Sequence, residues 1–458
     1  MTSRPDADRP ATPRAAGGAA ARRLRMPLAA LRRSGGRLAG GALEVLIRAA
    51  ADRAPALAVA PEEPRSIFVL RNNDIGDLLV ATPLFAALRR RFPAASIAAG
   101  VGSWNLPVLQ NNPHLSEVLA VNAPWHNKYL GKSGAGRRLL YLWRSPEVRE
   151  LAQRRFTVGI DVLGSGWGSL LLLRARIPYR LGVRGYAGGD SGVQAAVTFD
   201  PSEHVGRSTL RFAELLGATW LPPCRPQLFL TVAEYQAAES WWAASESGRR
   251  CLRIVIGPGG GLPARRWPQE RFAEVARELA AVAERAECPQ RNERGLGALS
   301  ILVLGGPHEG GQVAAVAAAA APLGRTHPEA PGLRETFALV AASDLVLCNS
   351  SMLMHVAAAF SKPTIVVLGE AFSSARLHQA QWGYAGTCRS LGKEPGSHAA
   401  LATPEEALQA VRDEIEPERP VAAGCEIAGV LGADAVFGAA RRRGAEMERN
   451  TTMVPIKS

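Results

Sequence analysis

The feature that most restricts the fold is a rhythm that occurs twice. Short runs of β-branched and leucine residues alternate with Ala/Leu/Arg segments of helical period, first from Ser66 and again from Leu252. Strands apolar on both faces, joined by helix-length connections, are parallel strands with crossover helices, because only a sheet covered on both sides buries such runs. The first half predicts strands at 66–70, 96–100, 117–121 and 156–162, with helices to about 91 and near 104–111. In the second half "LRIVIG", "LSILVLGG", "SDLVLCNSS" and "PTIVVLG" read as strands, between helices over 268–286 and 352–360 and an Ala-rich helix. A Pro-rich connector at 222–226, then a helix with Trp241 and Trp242, separates the halves. The chain therefore divides into a basic, partly disordered leader (1–63), a Rossmann-like domain (64–240), a second one (241–416) and a low-complexity tail (417–458). Two doubly wound α/β domains with strand carboxyl ends facing a cleft would bind ligands at those ends.

Charge is unevenly placed. The net charge is +13, and residues 1–53 carry eleven Arg against Asp6, Asp8, Glu44 and Asp52, so +7 of it lies there. Such a leader is either a solvated segment or a weakly amphipathic basic helix lying on anionic lipid. Nucleic acid fits it poorly, since no aromatic residues interleave the arginines. No window approaches the ~20 apolar residues of a spanning helix. The leader also lacks the layout of a signal peptide. The six cysteines, 224, 251, 288, 348, 388 and 425, form no CxxC pair and read as reduced structural thiols of a cytosolic protein. Two Gly-containing basic stretches, "NKYLGKSGAGRRLLYLWR" and "RLGVRGYAGGDSGVQ", read as surface insertions or acceptor-binding loops.

The chemistry-bearing residues sit where strands give way to helices. "VLRNNDIGDLLVATPLFAALRRRFP" sets Asp74 and Asp77 beside Gly76 after the first strand, with Thr82-Pro83 restarting the helix as an N-cap and first-turn proline. Both acids could be plain caps; Asp74 would close the turn or hold Arg71. In "GPGGGLPARRWPQERF", Gly259, Gly260 and Gly261 let backbone N–H groups approach a phosphate, and Arg265 and Arg266 add fixed charge. Glu309, in "VLGGPHE", is placed to accept from ribose hydroxyls or to stand solvated at a helix start. "CNSSMLMHVAAAF" offers Asn349, Ser350 and Ser351 at a helix start, then Met352 and His355, either capping and core residues or ligand contacts.

Taken in order, "RNNDIGDLLVATPLFAALRRRFP", "GPGGGLPARRWPQERF", "GGPHE" and "NSSMLMHVAAAFSKPTIVVLGE" resemble glycosyltransferase family 9, the lipopolysaccharide heptosyltransferases, from Ser66 to about Gly386. The 125–155 and 287–298 segments and both ends lie outside the resemblance. It implies a GT-B fold with the nucleotide sugar on the C-terminal domain and the acceptor on the N-terminal one. It also implies inverting, metal-independent transfer of a heptose or related sugar to a lipopolysaccharide-core or other cell-envelope glycan. The implied catalytic residues are Asp77 as general base and Arg265 on the donor phosphates. Donor contacts fall on Gly259, Gly260, Gly261, Arg266, Glu309, Asn349, Ser350, Ser351, Met352 and His355, with Arg71, Asp74 and Gly76 as acceptor-side support. No cofactor or metal is implied beyond the nucleotide-sugar co-substrate, ADP-heptose in the family's usual case. The expected partners are that donor and a lipid-linked or anionic glycan, at the cytoplasmic face of the inner membrane, with no nucleic acid.

The chain departs from the family's "NDSGxxH" and "KxW" patterns. Ser350 replaces the aspartate, Met352 the glycine, and Arg265 the lysine. These changes touch donor recognition and leave a second reading open, a catalytically degenerate GT-B protein that binds nucleotide sugar or glycan without transfer.

Overall fold

A computed structural model describes residues 28–244, 246, 251–286, 299–327, 329–394 and 401–415, without side chains for 28–39 and 284–286. The Asp6-Ala7-Asp8 motif, most of the leader's arginines, the 287–298 insertion and the 417–458 tail lie outside the described residues.

Each half contains one six-stranded sheet whose neighbouring strands are all parallel. The N-terminal strands are β1 (Ser66–Leu70), β2 (Ser96–Val101), β3 (Glu117–Ala120), β4 (Val158–Asp161), β5 (Tyr179–Arg184) and β6 (Ala195–Thr198). The C-terminal strands are β7 (Leu252–Gly257), β8 (Leu299–Val303), β9 (Gly324–Thr326), β10 (Leu345–Asn349), β11 (Thr364–Val367) and β12 (Cys388–Leu391). The first sheet runs β3-β2-β1-β4-β5-β6, and the second, read from its β9 edge, β9-β8-β7-β10-β11-β12, so the order repeats. In such sheets the crevice opens where the order reverses, beyond β1 and β4 in one half and β7 and β10 in the other. The predicted doubly wound α/β architecture is thus the observed one.

Several local expectations change. The stretch read as a basic insertion contains a helix, Ala135–Arg144, whose Leu142 is buried, and the second insertion contains β5. Its arginines disguised that strand. Arg180 is 1% exposed, and its guanidinium donates to the carbonyls of Gly192, Pro55 and Ile177 at 2.8, 2.8 and 2.6 Å. A buried cation is tolerated because carbonyl oxygens replace its water, although burial lowers its pKa to about 10. The leader is not wholly solvated either. A helix, Leu28–Ala51, docks on the N-terminal domain with Ile47 fully buried.

The helix Val232–Ala243, which a boundary at 240 would split, packs as one piece on Leu333–Ala341 of the C-terminal half. Trp242 Nε1 donates to Leu339 O at 3.1 Å. A capping box of Thr231 and Glu234 starts this helix, and Arg334 pairs with Glu234 at 2.7 Å, holding that carboxyl down at about 2.

The halves meet through helices Ile75–Ala81 and Met352–Ala359. The second is buried nearly all round, and Gly76 of the first lies against its Met352 and His355. One apolar cluster runs from Val69 and Leu78 through Met354 and Val356 to Val255 and Val346.

Candidate active site

The N-terminal corner is built from four consecutive polar residues that do different jobs. Arg71 is 7% exposed, and its Nη2 and Nε donate to Asp77 Oδ1 and Asp77 O, both at 3.3 Å. Asp77 is thus fixed through backbone and carboxylate, while its side chain stays 35% exposed. Asn72 and Asn73 tie down a neighbouring loop. Their Nδ2 groups donate to Ala123 O and Trp125 O at 3.3 Å and to His126 O at 2.9 Å.

Asp74 stands at the N-cap position of Ile75–Ala81 but makes no side-chain cap bond, and Arg71 goes to Asp77 instead. Both roles expected for Asp74 are therefore corrected. Its Oδ2 lies 3.9 Å from Lys128 Nζ and its buried Oδ1 has no partner. Burial raises its pKa, with Lys128 opposing. The helix does restart at Pro83. Thr82, however, donates its hydroxyl to Leu79 O and accepts from Gln227 N, both at 2.7 Å, rather than capping the next turn.

A pocket of about 520 Å³ opens beside Asp77. Its walls are the carboxyl ends of β5 and β6 and the residues that follow β4, β5 and β6, among them Val162, Val183 and Phe199, and Trp382 of the C-terminal half faces it. Beneath Arg71, at the end of β4, lies Asp161, 3% exposed, accepting from Ser165 N at 2.8 Å and Leu163 N at 3.2 Å. Burial pushes its pKa up to about 6.

Across the cleft the glycine-rich loop is internally stitched. Asn349 uses its whole amide: Oδ1 accepts from Trp267 N at 2.8 Å, and Nδ2 donates to Pro258 O at 2.7 Å and Gly259 O at 3.1 Å. Glu309 Oε1 accepts from Gly260 N at 2.9 Å and Oε2 from Gly306 N at 2.8 Å. Arg266 donates to Gly260 O at 2.8 Å and lies 3.5 Å from Glu309. A Cβ on Gly259 would sit 1.9 Å from the Glu309 carboxylate, which is why this position must be glycine. Asn349, Glu309, Arg266 and the Gly260 N–H, expected as donor contacts, are here spent on the loop itself. Arg265 and Gly261 are exposed, with the Arg265 guanidinium 5.8 Å above the Phe372 ring.

The remaining expected donor residues lie elsewhere. Ser350 meets His378 Nε2 at 2.8 Å, and His378 Nδ1 meets Ser390 at 2.8 Å. Burial, then Arg265, lowers the His378 pKa to about 4. A hydroxyl suits a neutral imidazole here as an aspartate would suit a charged one. Ser351 occupies the N-cap position of Met352–Ala359 without a cap bond. Met352 packs against the apolar core between the halves. His355, 6% exposed, bonds Tyr384 Oη at 2.6 Å, and a Cβ on Gly76 would come within 3.1 Å of its ring. Burial pushes its pKa down to about 3. Met352 and His355 therefore belong to the domain contact, and Gly76 lies against the His355 ring.

Reading the sequence missed Asp161, Lys128, His378 and Trp382. Asp161 had a signal, since "VGIDVLGSGWGS" ends an apolar run in an acid before a glycine turn, as "RNNDIGD" does. The other three sit in loops or a helix that only the tertiary fold brings to the cleft. Among the described residues no group of three or more His, Cys, Asp and Glu is arranged to hold a metal ion.

Known proteins resemble this chain in sequence and fold. The family model for Glycosyltransferase family 9 (heptosyltransferase) matches residues 292–375. Lipopolysaccharide heptosyltransferase 2 of Salmonella typhimurium is 26% identical over 323 residues, covering 66% of this chain and 82% of that protein. The family 9 glycosyl transferase of Veillonella parvula superposes with a TM-score of 0.62 at 17% identity, over 78% of this chain and 99% of that one. The E. coli ADP-heptose lipopolysaccharide heptosyltransferase II gives 0.58 at 20% identity, over 76% and 98%. The chain has the two-domain GT-B fold of these structures and is similar in sequence to the family 9 heptosyltransferases, which supports reading it as a glycosyltransferase of that kind.

Proposed function

We propose that the protein transfers a heptose or related sugar from a nucleotide-activated donor, with inversion and without a metal ion, to a cell-envelope glycan of the lipopolysaccharide-core kind. The observation that carries this reading is Asp77, half-exposed at the mouth of the pocket and aimed by a buried arginine. An inverting transfer needs that group. The carboxylate takes the acceptor hydroxyl's proton as the oxygen attacks the anomeric carbon, and the nucleoside diphosphate departs with the bonding electrons. The donor sits on the C-terminal side, where Arg265 meets its phosphates, and the acceptor sugar fills the pocket of about 520 Å³.

The curated relatives carry heptosyltransferase names, which makes ADP-heptose the first donor to try. The degenerate reading loses its motive. Ser350 is paired with His378 and Met352 is packed between the halves, so neither blocks the glycine loop.

The decisive test is Asp77→Asn with donor binding and product formation measured on one preparation. Transfer should fall by about 10²–10⁴ while donor affinity stays unchanged. Undiminished transfer would remove Asp77 from the mechanism.

Peripheral contact with the inner membrane's cytoplasmic face belongs to the same proposal. It is supported by the +7 of the first 53 residues and by exposed Leu140 and Trp143 between Arg137 and Arg144. Cosedimentation with anionic, but not neutral, vesicles checks it.

A further inference from the structure

Resting on the donor reading above, we propose that Lys128 is a cation of the diphosphate site, supplied from the opposite domain. The loop that should hold a diphosphate has few groups left to do so. Gly260 N–H and Arg266 are both engaged by Glu309, and Arg266 also bonds Gly260 O. Arg265 remains exposed at the mouth. A leaving diphosphate gains a full negative charge when the bond from anomeric carbon to oxygen breaks, and a second cation there stabilises it.

Lys128 has the position. A Cβ on Gly261 would be 3.6 Å from Lys128 Nζ, so the ammonium hangs over the exposed end of the glycine loop although it belongs to the N-terminal half. Its place is prepared. Asn127 accepts from Tyr129 N and Leu130 N at 3.2 and 3.0 Å and donates to Ala123 O at 2.9 Å. Tyr129 stacks on Trp104 with 4.7 Å between ring centroids, and Trp104 Nε1 donates to Asn73 O at 3.0 Å. The loop carrying Lys128 is thus bolted to the same corner that carries Asp77.

Lys128 is also loosely held. Its carboxylate neighbour, Asp74, is 3.9 Å away, beyond hydrogen-bond distance, and its side chain is 54% exposed. A diphosphate, with more charge and more acceptor oxygens than one carboxylate, competes successfully for it. The sequence of events then balances. The acceptor oxygen bonds to the anomeric carbon and its proton passes to Asp77. The diphosphate takes the electron pair of the broken bond and is held between Arg265 and Lys128.

The test is calorimetry on the full chain with ADP, UDP, GDP and CDP beside the matching nucleosides, for wild type, Lys128→Ala and Lys128→Arg. For the diphosphate that wild type binds, Lys128→Ala should weaken affinity about tenfold or more, Lys128→Arg should largely restore it, and nucleoside affinity should not move. Equal diphosphate affinity in Lys128→Ala, or an equal loss for nucleoside, overturns the inference while leaving the donor reading standing. Binding of none of the four by folded wild type overturns the donor reading and this inference with it.

Discussion

The two corners that face each other across the cleft have the same topological address and opposite internal economies. At the carboxyl ends of β7, β8 and β10 the polar groups bond to one another: Asn349, Glu309, Arg266 and three backbone segments close a network. After β1 Arg71, Asn72 and Asn73 are also bonded inward, but the two acids are left open, with Asp77 held by a single arginine and about a third exposed, and Asp74 keeping a buried oxygen without a partner. Satisfied polar networks fix shape, whereas unsatisfied groups are available for chemistry or ligand. The glycine loop is therefore a rigid cradle, and the "RNNDIGD" corner keeps the open polar groups that the proposed reaction needs.

That contrast can be broken at chosen points. The largest stability effect should come from Asn349→Ala, which strands the Trp267 N–H and two carbonyls in the interior. Thermal unfolding should report about 3 kcal/mol or more lost, against little change for Asp74→Asn, whose partner is loose. Gly259→Ala drives a methyl into the Glu309 carboxylate and should expel it. Donor affinity, measured by calorimetry, should then drop at least as much as stability does, because Gly260 and Arg266 lose their anchor.

Acidification sharpens the picture with three buried groups. His355 and His378 have pKa values of about 3 and 4 against an ordinary 6.5, so below about 6.5 the unfolded chain takes up protons that the folded one refuses. Their contribution is present above that pH and is lost as pH falls. Asp161, at about 6 against an ordinary 3.8, acts in the opposite sense, holding a proton in the folded state between those values. Two groups against one leave a net loss of stability as the pH falls from roughly 6 to 4, and His114, His126 and His204, whose pKa values burial also lowers, add to it. Asp161→Asn should steepen that loss, and melting curves across this range would show it. The smallest effect belongs to Gly76→Ala. Its methyl needs only a few tenths of an ångström from His355, and the gain in helix propensity of about 1 kcal/mol offsets the strain. Unfolding midpoints should barely shift.

How much of this could be read from the sequence depends on whether a signal is local. The strand-to-helix corners were visible because apolar runs, glycines and acids adjoin in the chain, and so Asp77, Arg265 and the glycine loop were all found at strand ends. What each polar group does with its hydrogen bonds was not visible. Asn349 and Glu309 read as ligand contacts because nothing in the chain says that Trp267 N–H and Gly260 N–H lie within reach. For His355 the residues alone left a core position and a ligand contact both open, because its neighbours, Gly76 and Tyr384, come from distant segments. Arg180 hid a strand, because a buried arginine satisfied by three carbonyls looks like surface in one dimension.

The apolar cluster shared by the two halves bears on how this chain could be re-engineered. Helix Met352–Ala359 is covered on one side by its own sheet and on another by Ile75–Ala81. Cutting the chain at the connector would lay Met352 and the ring of His355 open to water. The halves are thus not interchangeable cassettes. A graft of a foreign C-terminal half would have to bring a surface that fits Gly76 and Leu78, or the hybrid would lose the contact that holds the two sides of the cleft together.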